Sequence, residues 1–145
     1  MEVYTIGFTK RKASEFFGAL RQSNIKCLLD VRLNNSSQLA GFTKHTDLPF
    51  FLKELCDAEY KHEPLLAPTE DMLNSYKKEK RSWEEYERRF LALICERRIE
   101  ERLDKSLFDV PTVLLCSEAT AERCHRRLVV EYLNSKWGGL HIIHL

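Results

Sequence analysis

The sequence has no apolar run near the roughly 18 residues that a membrane-spanning helix needs, and no basic, then apolar, leader at its start. Membrane roles and secretion are therefore not expected. It has no excess of charge of either sign: 23 Lys and Arg against 22 Asp and Glu leave a net charge of +1, which argues against a dedicated, highly basic nucleic-acid binder. It lacks a Walker phosphate loop and a glycine-rich dinucleotide turn after the first apolar run, which sets aside nucleoside triphosphate hydrolysis and nicotinamide chemistry. No segment is low in complexity and no period repeats. Cysteine is present but not as a disulfide framework, since the 5 thiols are odd in number and fall inside predicted strands and helices. That usage suits a reduced, cytoplasmic protein. At 145 residues the chain is expected to form a single domain over 1–145, burying about two-thirds of its unfolded surface.

What is present is an alternation of short β-prone runs with amphipathic helical stretches. Residues 3–6 read as a first strand closed by Gly7, 25–31 as a buried second, 59–66 as a shorter edge strand limited by Pro64, 113–115 as a central strand and 140–144 as a last. Between them lie a helix over 12–23, a helix over 48–57 with Pro49 in its first turn, a helix capped by Thr69, and a long helix over 83–103 announced by Ser82 with Glu85. The pattern predicts a three-layer α/β/α fold with a mostly parallel, roughly five-stranded sheet and does not reveal the strand order.

The chemistry gathers in 113–127, VLLCSEATAERCHRR, read as strand, turn and a helix with Thr120 as its N-cap. At about 100° per residue, His125 lies within roughly 40° of the mean direction of the apolar positions and faces inward, with Arg126 at the margin of that face. Cys116 and Glu118 stand at the carboxyl end of the strand, where open α/β sheets place ligands. Asp30 and Arg32 end the second strand in the same way, and the loop over 34–41 leaves from that edge.

Two catalytic readings follow. Cys116, near a helix N-terminus and a histidine, has the surroundings of an activated thiol. Glu118 with His125 is the acid–base alternative, with Arg32 and Arg126 holding an anionic, phosphate-bearing or nucleotide-like substrate. A cysteine-phosphatase loop is excluded, because the sixth residue after Cys116 is Glu122 rather than arginine. No cofactor is expected. The spacing of Cys116, Cys124, His125 and His62 matches no familiar zinc motif, and adjacent helical residues such as Cys124 and His125 diverge by about 100°. A non-catalytic module that binds an anion or nucleic acid through Arg32, Arg126 and the helix N-terminus is the competing class. In a third, purely structural reading, Asp30 pairs with Arg32 or Arg126 and His125 ties the helix to a loop. Nothing in the sequence specifies an oligomeric state.

These residues also carry a resemblance. LLCSEATAERCHRR resembles the LLC-x-E-x5-CHR signature of the uncharacterised YeaO-like family, domain of unknown function 488, and YTIGF over 4–8, DVR over 30–32, Ser37, Phe42, Lys44 and EYKHEP over 59–64 agree with it. The resemblance marks the loop residue Ser37 as a further binding candidate. It implies no reaction, because none is established for the family. This chain departs from the pattern at Phe8, where the family tends to have histidine, and at Asn35 and Gln38, where it tends to read P-x-S-R.

Overall fold

The apolar runs 3–6, 27–29 and 113–115 are continuous rather than alternating, as strands covered on both faces require. In the computed structural model, which describes residues 1–35, 41–118 and 120–145, they become β1 (Glu2–Gly7), β2 (Cys27–Asp30) and β4 (Thr112–Cys116), joined at the edges by β3 (Glu59–His62) and β5 (His141–His144). All pairings are parallel and the order is β3-β2-β4-β1-β5. β2 and β4 are therefore neighbours, with Asp30 opposite Leu115 in register, and every strand ends at the same edge of the sheet.

Each face of the sheet has its own core. On one, α1 (Ala13–Gln22) and α2 (Leu48–Cys56) bury Phe16, Phe17, Leu20, Leu48 and Leu52 against Ile6, Leu28 and Leu115. On the other, α3 (Glu70–Lys77), α4 (Trp83–Arg97) and α6 (His125–Trp137) pack Met72, Phe90, Ile94, Val129 and Leu133 on Val3, Leu29 and Leu114. The three-layer expectation holds. Thr69 and Ser82 cap α3 and α4 by accepting from the Met72 and Glu85 amides. The basic entrance of α1 is tempered by Glu15, whose carboxylate accepts from the Lys12 amide.

Two helices differ from their sequence reading. The helix expected over 83–103 breaks at Arg98, which adopts a left-handed conformation (φ 53°, ψ 52°), and resumes as the single turn α5 (Ile99–Arg102). The helix expected from Thr120 begins only at His125, with Cys124 as an extended N-cap (φ −141°, ψ 140°). The delay has a cause in side chains. The Glu118 and Glu122 carbonyls accept from the guanidinium groups of Arg126 and Arg127, so the segment is held from outside rather than by helical bonds. Gly7 makes room for this, since a Cβ there would lie 1.5 Å from the Glu118 carbonyl oxygen and 2.6 Å from the Arg126 guanidinium. Among the described residues, no helix is long and apolar enough to cross a membrane.

Candidate active site

β2 and β4 deliver their last residues side by side, and each strand ends in a buried polar group. At the end of β2, Asp30 receives Nε and one terminal nitrogen of Arg32 at 2.8 and 2.9 Å, and the Tyr60 hydroxyl at 2.6 Å. Arg32 also donates to the Thr43 hydroxyl and carbonyl and lies over the Phe8 ring, 5.4 Å from its centroid. Asn35 donates to the Tyr60 hydroxyl. His62 is directed to the Arg32 carbonyl at 2.9 Å rather than toward the cysteines. Burial first, then the hydrogen bond to Asp30, pushes the Tyr60 phenol well above its usual range. The charge here is closed on itself, and the departures at Phe8 and Asn35 both support it.

At the end of β4 the arrangement is open. Cys116 is 4 % exposed, at the floor of a cleft of about 190 Å3. Its Sγ lies 3.5 Å from His125 Nδ1 and 2.7 Å from Cys124 Sγ. The far side of the imidazole settles the near side: His125 Nε2 sits 2.8 Å from the Val31 carbonyl, which only accepts, so Nε2 carries a proton and Nδ1 is the atom presented to sulfur. Phe90 packs edge-on against the ring at 5.4 Å between centroids and holds that orientation.

Arg126 supplies a second positive charge. It is fully buried, beyond the marginal position its helical phase suggested. Among the described residues its partners, the Thr5 hydroxyl, the Glu118 carbonyl and the Cys124 sulfur, are uncharged, and one terminal nitrogen has no hydrogen-bond partner. A buried guanidinium with neutral partners favours an anion nearby.

The thiol responds to these surroundings. Burial alone would push Cys116 up, but the hydrogen bond from Cys124, the charge and hydrogen bond of His125, and the charge of Arg126 together bring it well below the usual thiol range. His125 moves the other way: burial opposes its charge, and the Cys116 thiolate more than restores it. Cys124 stays protonated, raised by burial and then by its hydrogen bond to Cys116 and the charge there. These shifts favour a thiolate on Cys116 beside a protonated His125, with the Cys124 thiol directed at the same sulfur.

Of the sequence candidates, Arg32, Cys116, Glu118 and His125 line this one cleft. Asp30 lies behind Arg32. Arg126 points toward β1 and Thr5, and is not a lining residue. Glu118 is half-exposed at the rim and ion-paired with Lys77 at 2.8 Å. Ser37 and Gln38 fall outside the described residues. Sequence reasoning missed the Val31 carbonyl, the rim cations Lys77 and Arg123, and the wall formed by Tyr76, Trp83 and Tyr86. It also gave Cys124 no place beside Cys116 outside the metal-spacing argument. The aromatic spacing of α4 was a signal for a core stripe, and the same stripe turns out to face the cleft at its first turn.

The divergence argued for Cys124 and His125 does not apply, because Cys124 precedes the helix and its backbone is extended. The ligand atoms of Cys116, Cys124 and His125 lie within 4.8 Å of one another, so these three residues could hold a soft metal ion. No curated protein and no solved structure matches the chain. The defining sequence pattern of one family, domain of unknown function DUF488, matches residues 12–133, and the chain belongs to that family.

Proposed function

We propose that this DUF488 protein is an enzyme of covalent catalysis with Cys116 as its nucleophile. The observation that carries the reading is the orientation of His125: Nε2 on the Val31 carbonyl, Nδ1 on Cys116 Sγ. A carbonyl, an imidazole and a thiol in line make a nucleophile, a base and an orienting group. Cys116 would attack an electrophilic atom of the substrate, and His125 would return a proton from Nδ1 to the leaving group. The α6 N-terminus, with no acidic residue in its first turn, adds a favourable field for the thiolate.

The cleft suggests the substrate class. Tyr76, Trp83 and Tyr86 offer an apolar wall, while Arg123 and Lys77 stand at the rim. A small molecule with an apolar body and an anionic group, phosphate among the choices, fits that division. Glu118 is a weaker candidate for acid–base work, because its carboxylate pairs with Lys77 at the half-exposed rim. The free thiols suit a reducing, cytoplasmic setting.

The test is a panel of thioesters, activated phosphate esters and small disulfides, followed by intact mass and peptide mapping. Adduct on Cys116 that disappears in Cys116→Ser and persists in Glu118→Ala is the expected result. Anion binding without any adduct, abolished by Arg123→Ala, would instead favour a non-catalytic binding module.

A further inference from the structure

A single-cysteine nucleophile has no need of Cys124, yet Cys124 is the group nearest to it. Its extended N-cap backbone swings the side chain off α6 toward the end of β4. The two sulfurs are 2.7 Å apart, closer than unbonded sulfurs ordinarily rest and longer than the roughly 2.05 Å of a bond. Both line the same cleft. Cys27, on β2, and Cys56, at the end of α2, lie elsewhere.

Resting on the reading of Cys116 as nucleophile, we propose that Cys116 and Cys124 form a dithiol–disulfide couple whose substrate is a low-molecular-weight disulfide. The Cys116 thiolate attacks one sulfur of the substrate, the substrate S–S bond breaks, and the first thiolate leaves with its electron pair and takes the Nδ1 proton of His125. Cys116 is then in a mixed disulfide. Cys124 passes its proton to the neutral Nδ1 and attacks Cys116 Sγ, expelling the second substrate thiolate, which is protonated by His125. The substrate gains two electrons and two protons and becomes two thiols, while the protein is left with a Cys116–Cys124 disulfide. A dithiol reductant restores it.

The geometry also orders the two attacks. Cys116 Sγ faces His125 Nδ1 at 3.5 Å, and Cys124 directs its S–H at that sulfur from 2.7 Å, so Cys116 is the sulfur poised for the substrate. Once Cys116 is in the mixed disulfide, Cys124 is the thiol already in contact with its sulfur and placed to attack it. The size and rim charge of the cleft suit one arm of a small anionic disulfide, so oxidised glutathione is the probe.

The experiment treats the full chain with oxidised glutathione and follows intact mass and disulfide mapping, with circular dichroism to verify that each variant is folded. Wild type is expected to lose two hydrogens, retain no glutathionyl group and show a Cys116–Cys124 bond that dithiothreitol reverses. Cys124→Ser, with Cys124→Ala as its check, is expected to accumulate about tenfold more mixed disulfide on Cys116. Wild type that stops at the mixed disulfide as readily as the variants overturns the couple but leaves the nucleophile standing. Variants that take no glutathionyl group at Cys116 overturn both. Stoichiometric zinc retained after purification without chelator, lost in Cys124→Ser and blocking the disulfide, would make the pair a metal site instead.

Discussion

The ends of β2 and β4 are neighbours built from similar materials and put to opposite uses. Each is an apolar parallel strand that terminates in an ionisable residue with a buried arginine close by. At β2 the carboxylate of Asp30 and the guanidinium of Arg32 satisfy one another, and Tyr60 and Thr43 take up the remaining capacity. The group acts as a rivet between β2, β3 and the segment after β2. At β4 the arginine's partners among the described residues are neutral, the histidine is turned by a carbonyl, and the acid is a thiol. Among the described residues no fixed anion pairs with that guanidinium, and Cys116 is brought low first by the hydrogen bond from Cys124 and then by His125 and Arg126. Paired buried charge makes scaffold, and unpaired buried charge makes a reactive group.

Breaking the rivet should have the largest effect on stability. Arg32→Ala strands a fully buried carboxylate, and removing one partner of such a pair costs about 3–5 kcal/mol. Urea unfolding should show that loss, and a change below about 1 kcal/mol would mean that Asp30 is not held as described. Gly7→Ala tests the β4 end from beneath. Its Cβ would collide with the Glu118 carbonyl, so the 117–124 segment must move, at about 1–3 kcal/mol, and Cys116 should become less reactive as Arg126 shifts. Unchanged iodoacetamide reactivity in a folded Gly7→Ala protein would remove Arg126 from the account. The smallest effect belongs to the rim: the Glu118–Lys77 pair is 42 % and 53 % exposed at its side chains, so Glu118→Ala should change stability by less than about 1 kcal/mol. Cys116 reactivity should also stay as it was. A large loss of reactivity would transfer the acid–base role back to Glu118.

Much of this contrast was legible in the sequence, because it depends on local order. Asp30 and Arg32 flank a single residue, and Cys116 and His125 are joined by one turn and one helix start, so short-range geometry brings each pair together. The inward direction of His125 followed from helical phase. What was illegible depends on long-range pairing and on side chains overriding backbone preference. That β2 lies beside β4, bringing the Val31 carbonyl to His125, is a property of strand order, which no local pattern encodes. Thr120, Ala121 and Glu122 read as the start of a helix, yet Arg126 and Arg127 capture the carbonyls of this segment and delay the helix to His125. That delay takes Cys124 off the helix and makes it the neighbour of Cys116. The break at Arg98 likewise has no glycine to announce it.

The pH dependence of Cys116 alkylation tests the central claim most directly. An ordinary thiol near pKa 8.5 loses roughly 80-fold in thiolate, and hence in alkylation rate, between pH 8 and pH 6. Cys116 is held low by Cys124, His125 and Arg126, so its thiolate persists as pH falls through the ordinary thiol range and is lost only well below it. Iodoacetamide rates on the native protein, followed by mapping of Cys116, should therefore fall less steeply from pH 8 to pH 6 than those of the unfolded protein, which shows the full decline. A native profile that falls with the unfolded one would contradict the thiolate–imidazolium pair, and the functional reading built on it.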